Sequence, residues 1–203
     1  MHQVSTLFGR QKVSDEQAAR VPPGQYVTQK WPVLHYGSVP RTDLATWDFK
    51  VWGEVESPFE FSWQEFQAMP RKQLHTDVHC VTRWSRLDMD FEGVPIQHIL
   101  ERAGLKPSAR FVLAHAEQGY TANLPLEVLN DDDVLLADVA DGAPLTPDHG
   151  YPLRLVVPKR YFWKSAKWIR GLQFLPADRP GFWERYGYHN DADPWQEQRF
   201  SDD

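Results

Sequence analysis

Hydrophobic and polar residues alternate along much of this chain, which is the pattern of half-buried β-strands. The alternation is clearest from Thr46 to Trp63, where one face carries Trp47, Phe49 and Val51. Pro58 interrupts this run and predicts a turn between two strands. Further strands are predicted at residues 77–81, 111–115, 134–137, 153–157 and 168–175.

Helical signals are fewer and shorter than the strand signals. Ser62 with Glu65 three residues later forms a capping box that opens a short helix. A second helix is predicted from Ile96 to Ala103, ending at Gly104, and residues 126–129 predict a helical turn. Frequent prolines, short helices and many strands favour an α+β fold, a mixed and β-rich single domain, over a doubly wound sheet.

Three regions differ in composition. Residues 1–24 are polar and predict an N-terminal arm that is extended or partly helical, and residues 25–180 predict the main domain. Residues 181–203 form a tail with many aromatic side chains but no clear periodicity. Because these aromatics are too numerous for a solvated linker, we expect the tail to pack against the domain or against a partner.

Composition narrows the possible functions. Of the 203 residues, 41% are hydrophobic, and the formal net charge is -6. The apolar fraction suffices for a core, while the acidic balance gives no reason to expect nucleic acid as a partner. No apolar run approaches the roughly 20 residues of a membrane span, and the N-terminus lacks a signal-peptide pattern. The sequence therefore predicts a cytoplasmic protein.

The only cysteine lies in a short segment with two histidines and two arginines: His75, His79, Cys80, Arg83 and Arg86. Imidazole and thiolate are metal ligands, but there is no second cysteine for a structural zinc site. Adjacent residues of a strand point to opposite faces, which also disfavours a Cys–His hydrolase. Burial of an inert cysteine remains open, as does a thiolate favoured by the neighbouring arginines.

A second group of polar residues surrounds the predicted strand at 153–157. It comprises His149, Arg154, Lys159, Arg160, Lys164, Ser165 and Lys167. Arginine and lysine suit phosphate, so this group predicts a site for a phosphorylated, anionic ligand, unless the cations are simply solvated. His35, beside Tyr36, is a third candidate but by itself indicates only packing.

In this order, these segments resemble the sulfite oxidase-type molybdopterin-binding domain family, from about residue 31 to residue 174. HCVTRWS is similar to the family's cysteine loop, which implies that Cys80 is the molybdenum ligand. HGYPLRLVVP and SAKW resemble the segments that hold the pterin and its phosphate. They imply cofactor contacts by His149, Arg154, Ser165, Ala166 and Lys167, while WPVLHYGSVP matches the family clearly only at His35, and a contact near His115 has no firm alignment.

The resemblance implies a small bacterial oxidoreductase that binds the molybdenum–molybdopterin cofactor (Mo-MPT). It implies two-electron oxygen-atom transfer on a small substrate, either a sulfite-like anion or a sulfoxide-like oxide. Arg83, by its position, is a candidate to draw an anion to the metal. Since no haem, flavin or iron–sulfur motif is present, we expect a separate electron-transfer protein. The alternative is a non-catalytic molybdopterin carrier or interaction module on the same fold.

Overall fold

The structure, a computed structural model, describes residues 14–203; the first 13 residues of the predicted arm lie outside them. Within this range, two mixed β-sheets and a few short helices make up the fold. This architecture confirms the predicted α+β, β-rich class. The longest helix has eight residues, so none of the described helices could cross a bilayer.

The first sheet has six strands. They are β1 (Tyr26–Val27), β4 (Lys72–His79), β5 (Trp84–Pro95), β8 (Leu135–Ala140), β9 (Ala143–Pro144) and β10 (Arg154–Val156). β5 is central, because it pairs with β1 in parallel and with β4 and β8 in antiparallel register. β10 pairs with β8 at the other side, in antiparallel register.

The second sheet has five strands in the order β3-β2-β11-β6-β7. They are β2 (Asp48–Gly53), β3 (Phe59–Ser62), β6 (Phe111–Ala116), β7 (Thr121–Pro125) and β11 (Ile169–Leu175). β11 pairs with β2 in parallel and with β6 in antiparallel register. The predicted alternation in β2 is confirmed, since Trp47, Phe49 and Val51 are all buried.

Four short α-helices connect these strands: α1 (Asp15–Ala18), α2 (Trp63–Gln67), α3 (Ile96–Ala103) and α4 (Leu126–Leu129). The Ser62–Glu65 capping box forms as predicted and starts α2. α3 has the predicted bounds, and Gly104 ends it with a positive φ of 61° that favours glycine. Both helices therefore follow from local signals in the sequence.

Several strand predictions need correction. The predicted strand at 77–81 is longer and ends before Cys80, because β4 runs from Lys72 to His79. Strands β1, β5, β7 and β9 were not predicted from the sequence. In β5 the buried Leu87, Met89 and Phe91 alternate with exposed acidic residues, which have low β-propensity. Pairing on both sides of β5 outweighs that local preference.

The hydrophobic core has two main parts, one on each face of the six-stranded sheet. The larger part lies between the two sheets and includes Leu155 of β10 and Leu172 of β11. The smaller part covers the other face and includes Val156, Met89 and the thiol-bearing Cys80. Leu155 and Val156 are neighbours in β10 and therefore point to opposite parts of the core. Val156 shares the smaller part with Cys80, so β10 lies beside the cysteine segment.

Candidate active site

A cavity of about 320 Å³ opens beside the smaller core. Its walls come from a loop before β2, the turn between β4 and β5, the connection from β10 to β11, and the C-terminal tail. Aromatic rings dominate the lining, and polar groups are few. The lining comprises Trp31, Pro32, Leu34, His35, Tyr36, Cys80, Val81, Thr82, Trp84, Tyr120, Arg154, Phe162, Trp163, Ser165, Ala166, Lys167, Trp168, Trp183 and Tyr188.

Cys80 directly follows β4, and its backbone is fixed by a tight turn. Its amide donates to the Trp84 carbonyl at 2.9 Å, and its own carbonyl accepts from the amide of Arg83 at 2.9 Å. Cys80 is 8% exposed, and its sulfur accepts a hydrogen bond from the Thr82 hydroxyl at 3.2 Å. Burial raises the pKa of the free Cys80 thiol, so a metal ion or another cation is needed to favour its thiolate.

The histidines near Cys80 do not join it at the cavity. His79 is buried, its Nδ1 lies 2.8 Å from the Ser85 hydroxyl, and burial lowers its pKa to about 4. His75 lies outside the cavity lining against Asp88 and Asp90. Residues 14–203 hold no group of three or more His, Cys, Asp and Glu that could bind a metal. The described geometry therefore offers no protein-only zinc site.

Arg154 supplies a buried positive charge in the cavity wall. Its residue is 1% exposed, and its guanidinium donates to the carbonyls of His149 and Ser165, each at 3.0 Å. Within the described residues it has no carboxylate partner, and its Nε has no hydrogen-bond partner at all. Burial lowers the pKa of Arg154 to about 9. A buried cation in this state is stabilised by an anion that enters the cavity.

Lys167 lies in the same wall and shares this electrostatic situation. Its ammonium donates to the backbone carbonyl of Asp148 at 2.6 Å, which leaves its charge unneutralised. Burial, reinforced by the charge of Arg154, lowers the pKa of Lys167 to about 7. Arg154 and Lys167 thus line one cavity, and the pKa of each is lowered because its charged form lacks a counter-charge. This is the electrostatic pattern of an anion-binding site.

Ser165 and Ala166 complete this wall through their backbone. The Ser165 hydroxyl accepts from the amide of Val157 at 2.9 Å, and its carbonyl accepts from Arg154. The carbonyl of Ala166 accepts from the amide of Leu155 at 2.9 Å. These bonds hold the segment against β10 and fix the position of the cavity wall.

The two candidate histidines occupy different positions. His35 lines the cavity, where its Nδ1 lies 3.0 Å from the carbonyl of Gly37. His149 is not among the lining residues, but its ring stacks on Trp31 with 3.9 Å between centroids. Its Nε2 also lies 3.2 Å from the Trp31 carbonyl. In this structure His149 positions Trp31, which itself lines the cavity.

Arg83, the second predicted catalytic residue, is exposed and is not part of the cavity lining. Its φ of 73° is in the left-handed region, as the tight turn after Cys80 requires. The guanidinium extends toward Gly24, so the structure does not bring it together with the thiol. Arg86 is likewise engaged elsewhere, since it pairs with Asp141 at 2.5 Å.

The remaining cations of the predicted basic group are neutralised. Lys159 pairs with Asp131, and Arg160 pairs with Asp191 at 3.0 Å. Lys164 is buried and pairs with buried Glu184 at 2.6 Å. Of the five cations in this group, Arg154 and Lys167 are therefore the two without a carboxylate partner in the described residues.

Most of the other cavity residues were not predicted as site residues from the sequence, and Trp31 and Tyr188 are the two that matter most for the chemistry. Trp31 stands at the start of the family resemblance, but nothing local singles it out. Tyr188 belongs to the aromatic tail and was predicted only to pack. It lines the cavity, and burial together with nearby Cys80 raises its pKa. The density of aromatics in the tail was the one available signal.

Segment 181–203 packs on the domain in the structure. Phe182 is buried, and the Tyr188 ring lies 5.2 Å from that of Trp163, centroid to centroid. The buried Arg199 donates to the carbonyl of Val81 at 2.9 Å, next to the cysteine. The tail thus contributes both a wall of the cavity and a support for the cysteine turn.

Comparison with known proteins identifies relatives with the same kind of domain. The chain is 51% identical to the uncharacterized oxidoreductase YuiH of Bacillus subtilis (strain 168), over 96% of this chain and 98% of that protein. It is 29% identical to the protein-methionine-sulfoxide reductase catalytic subunit MsrP of Xanthomonas axonopodis pv. citri, over 74% of this chain but only 53% of that protein.

A solved structure supports the same conclusion. The sulfane dehydrogenase SoxCD from Paracoccus pantotrophus superposes with a TM-score of 0.68 at 25% identity, over 76% of this chain and 44% of that chain. Residues 36–183 match the family model described as the oxidoreductase molybdopterin binding domain. This range includes Cys80, Arg154 and Lys167 and confirms the resemblance drawn from their motifs. The chain therefore belongs to the oxidoreductase molybdopterin-binding domain family.

Proposed function

We propose that this chain binds Mo-MPT, with Cys80 as the metal ligand, and catalyses two-electron oxygen-atom transfer on a small substrate. The observation that carries the proposal is Arg154, a buried guanidinium with an unpartnered Nε and no carboxylate partner in the described residues. Such a charge is costly unless a ligand neutralises it, and the phosphate of a pterin cofactor has the required charge.

The donor set fits this cofactor in chemistry as well as in charge. Arg154 and Lys167 would hold the phosphate-bearing part, together with the backbone of Ser165 and Ala166. Cys80 would contribute a thiolate, a soft ligand of the kind that completes a sulfur-rich coordination sphere. His35 and Trp31 would line the pterin, and His149 would hold Trp31. When bound, the cofactor supplies the two-electron chemistry.

We infer that the substrate is a neutral, sulfoxide-like oxide, which is reduced. An anion such as sulfite requires a cation beyond those that hold the cofactor. In this proposal Arg154 and Lys167 hold the cofactor's phosphate, while Arg83 lies outside the cavity and Arg86 pairs with Asp141. The lining near the thiol includes Trp84, Trp163 and Val81, which suit an apolar substrate. The relatives named as methionine-sulfoxide reductases agree with this chemistry.

Tyr188 has the properties of a substrate-positioning residue. Tyr188 lines the cavity, and its raised pKa keeps its hydroxyl protonated at neutral pH. It can therefore donate a hydrogen bond to the oxygen of a bound oxide. Reduction of a sulfoxide consumes two electrons and two protons and releases water, so a donor at this oxygen assists loss of the oxygen atom. Electrons would come from a separate protein, as the subunit names of two relatives suggest.

Metal and pterin analysis tests the cofactor assignment. Protein purified from a molybdenum-replete host should carry about one molybdenum and one pterin per chain, and Cys80→Ser should lose the metal. Stoichiometric molybdenum in Cys80→Ser would contradict the ligand assignment. Cys80→Ser is compared with Thr82→Val, which removes the hydrogen bond to the sulfur but keeps the thiol.

Activity assays test the reaction. With a reduced dye as electron donor, the loaded enzyme should reduce methionine sulfoxide, and Tyr188→Phe should lower kcat more than it raises KM. Oxidation of sulfite without sulfoxide reduction would instead support the anionic substrate. Bound cofactor without turnover of either substrate would favour the non-catalytic carrier.

A further inference from the structure

An apolar surface extends from the rim of the cavity onto the tail. Leu34 and Tyr36 line the cavity yet are 49% and 47% exposed, so they lie at its rim. The Tyr36 ring is 4.3 Å from that of Phe182, and Phe182 is 5.0 Å from Tyr186, which is 69% exposed. These four residues are called the rim patch below. Leu34, Tyr36 and Tyr186 are the exposed members, and the buried Phe182 packs against both tyrosines. Exposed large apolar groups that lie close together mark interaction surfaces.

Two arginines flank the rim patch. Arg185 precedes Tyr186 in the chain, and it lines an open depression of about 430 Å³ together with Arg179 and His115. Arg185 donates through Nε to the carbonyl of Gly181 at 3.1 Å, and Arg179 donates to the side-chain oxygen of Gln173. Both acceptors are neutral, and no acidic residue lines the depression.

The positive charge of this depression comes from the arginines alone. Burial lowers the pKa of His115, so its ring is neutral at pH 7. The Nε2 atom lies 3.1 Å from the same Gln173 oxygen. Neither arginine has a carboxylate within 4 Å among residues 14–203. In a chain with a net charge of -6, two uncompensated cations beside an exposed apolar patch form a local positive field.

The depression and the cavity share one wall. Tyr120 lines the cavity, while its neighbours Gly119 and Thr121 line the depression. The tail does the same, since Trp183 lines the cavity and Arg185 the depression. Because Phe182 joins Tyr186 to the rim residue Tyr36, a protein that covers Arg185 and Tyr186 would also lie beside the rim of the cavity.

We propose that the rim patch with Arg179 and Arg185 is the docking surface for an electron-carrying protein with an acidic surface. This inference rests on the proposed function, which requires an electron source close to the cavity. Tyrosine and arginine are the side chains enriched in the centres of protein interfaces, and the arginines select the charge of the partner. A second copy of the chain fits poorly, because a twofold contact through this patch would bring arginines against arginines.

Binding of two carriers of opposite charge tests the proposal without requiring turnover. The holoenzyme should bind flavodoxin, a small acidic flavoprotein, more tightly than cytochrome c, which is basic, and salt should weaken the flavodoxin complex. The double reversal R179E/R185E should weaken flavodoxin binding by about tenfold or more and strengthen binding of cytochrome c. Tyr186→Ala should weaken the flavodoxin complex at every salt concentration.

The matched control is K106E/R110E, which makes the same charge change beyond the opposite end of β6 from His115. It should leave flavodoxin binding within about twofold of wild type, because neither residue lines the depression or belongs to the rim patch. Equal loss in both double variants would mean that only net charge matters and would overturn the proposal. Unchanged flavodoxin binding in R179E/R185E would overturn it as well.

Turnover with a small dye separates this inference from the proposed function. R179E/R185E should keep wild-type dye activity, since neither arginine lines the cavity. A wild-type enzyme that shows arginine-dependent flavodoxin binding but no dye turnover would refute the proposed reaction and leave the docking surface supported. Loss of dye activity in R179E/R185E alone would instead place the arginines in the catalytic site, against the proposal.

Discussion

Two sets of cations that are neighbours in the sequence have opposite environments in the structure. Arg154 and Lys167 face the cavity with only backbone carbonyls as hydrogen-bond acceptors. Lys159, Arg160 and Lys164 each pair with a carboxylate. The residue types are the same, so the difference lies in whether the fold supplies the counter-charge. Where it does not, the buried charge indicates a ligand; where it does, the charge belongs to the scaffold.

Lys164 should give the largest effect on stability. Its ammonium donates to Glu184 at 2.6 Å, to Asn123 Oδ1 at 2.8 Å and to the Asn190 carbonyl at 2.7 Å, all in a buried site. Lys164→Met leaves the Glu184 carboxylate buried without its cation, which should lower the free energy of unfolding by about 3–5 kcal/mol. Urea denaturation of the apoprotein measures this.

The double variant Lys164→Met/Glu184→Met is the control for the Lys164 prediction. It removes both charges, so it should recover most of the lost stability, because apolar side chains of similar size often replace a buried ion pair without cost. A single variant that loses less than about 1 kcal/mol would show that the pair contributes little and that Lys164 resembles the surface cations.

Substitution of Arg154 should affect cofactor retention more than stability. Arg154→Met removes the cation that would hold the phosphate, so retention of cofactor should fall about thirtyfold or more, equivalent to about 2 kcal/mol. The apoprotein should lose far less stability than Lys164→Met, because the lost hydrogen bonds to two carbonyls are offset by removal of an uncompensated buried charge. Molybdenum per chain after dialysis, measured beside the urea midpoint, tests both parts.

The outcome that would break the comparison is a reversal of the stability effects at the two sites. If Arg154→Met unfolded the apoprotein while Lys164→Met spared it, Arg154 would be the scaffold residue. Arg154→Lys is the matched variant, since it keeps the charge but loses the fork of donors, and it should retain cofactor better than the methionine variant.

The family resemblance, and not the residue types, separated Arg154 and Lys167 from the other cations of the basic group. The structure places both residues in the cavity wall, while His149 of the same motif lies outside the lining. The short helix α3 and the capping box at Ser62 were also predictable, because their signals lie within a few residues of each other. Such features depend on local chemistry, which a single sequence records directly.

The counter-charges could not be predicted in the same way. Glu184 lies 20 residues after Lys164, and Asp131 lies 28 residues before Lys159, so only the folded chain brings these pairs together. Tyr188 reaches the cavity through the path of the tail, and Arg83 leaves it because of its left-handed backbone. Long-range topology and backbone geometry decided these positions, and neither has a signature in neighbouring residues.

Lys167 offers a test that depends on pH. Its pKa in the folded apoprotein is about 7, against 10.5 when unperturbed. Between these values the unfolded chain binds the proton and the folded chain does not, so this group lowers stability as pH falls from 10.5 toward 7, and its penalty is constant below. Relative to Lys167→Met, the wild-type apoprotein should lose about 1–2 kcal/mol over this range.

Bound cofactor should remove this pH dependence, because a phosphate beside the ammonium restores its pKa. The measurement is the difference in unfolding free energy between wild type and Lys167→Met, at pH 7 and at pH 10, with and without cofactor. A difference that is independent of pH in the apoprotein would mean that Lys167 stays charged there, and of the two cavity cations only Arg154 would then indicate an anion site.

Lys159 should show the smallest effect and so sets the lower end of the comparison. It is a lysine paired with a carboxylate, as Lys164 is, but its side chain is exposed and its partner Asp131 lies at the surface. Exposed ion pairs contribute about 1 kcal/mol or less, since water and salt screen them. Lys159→Met should therefore change stability by less than about 1 kcal/mol and leave molybdenum content unchanged. The substitution is the same as the one made at Lys164, so any difference in stability between the two variants reports burial rather than residue type. A loss of cofactor in Lys159→Met would extend the ligand site beyond Arg154 and Lys167.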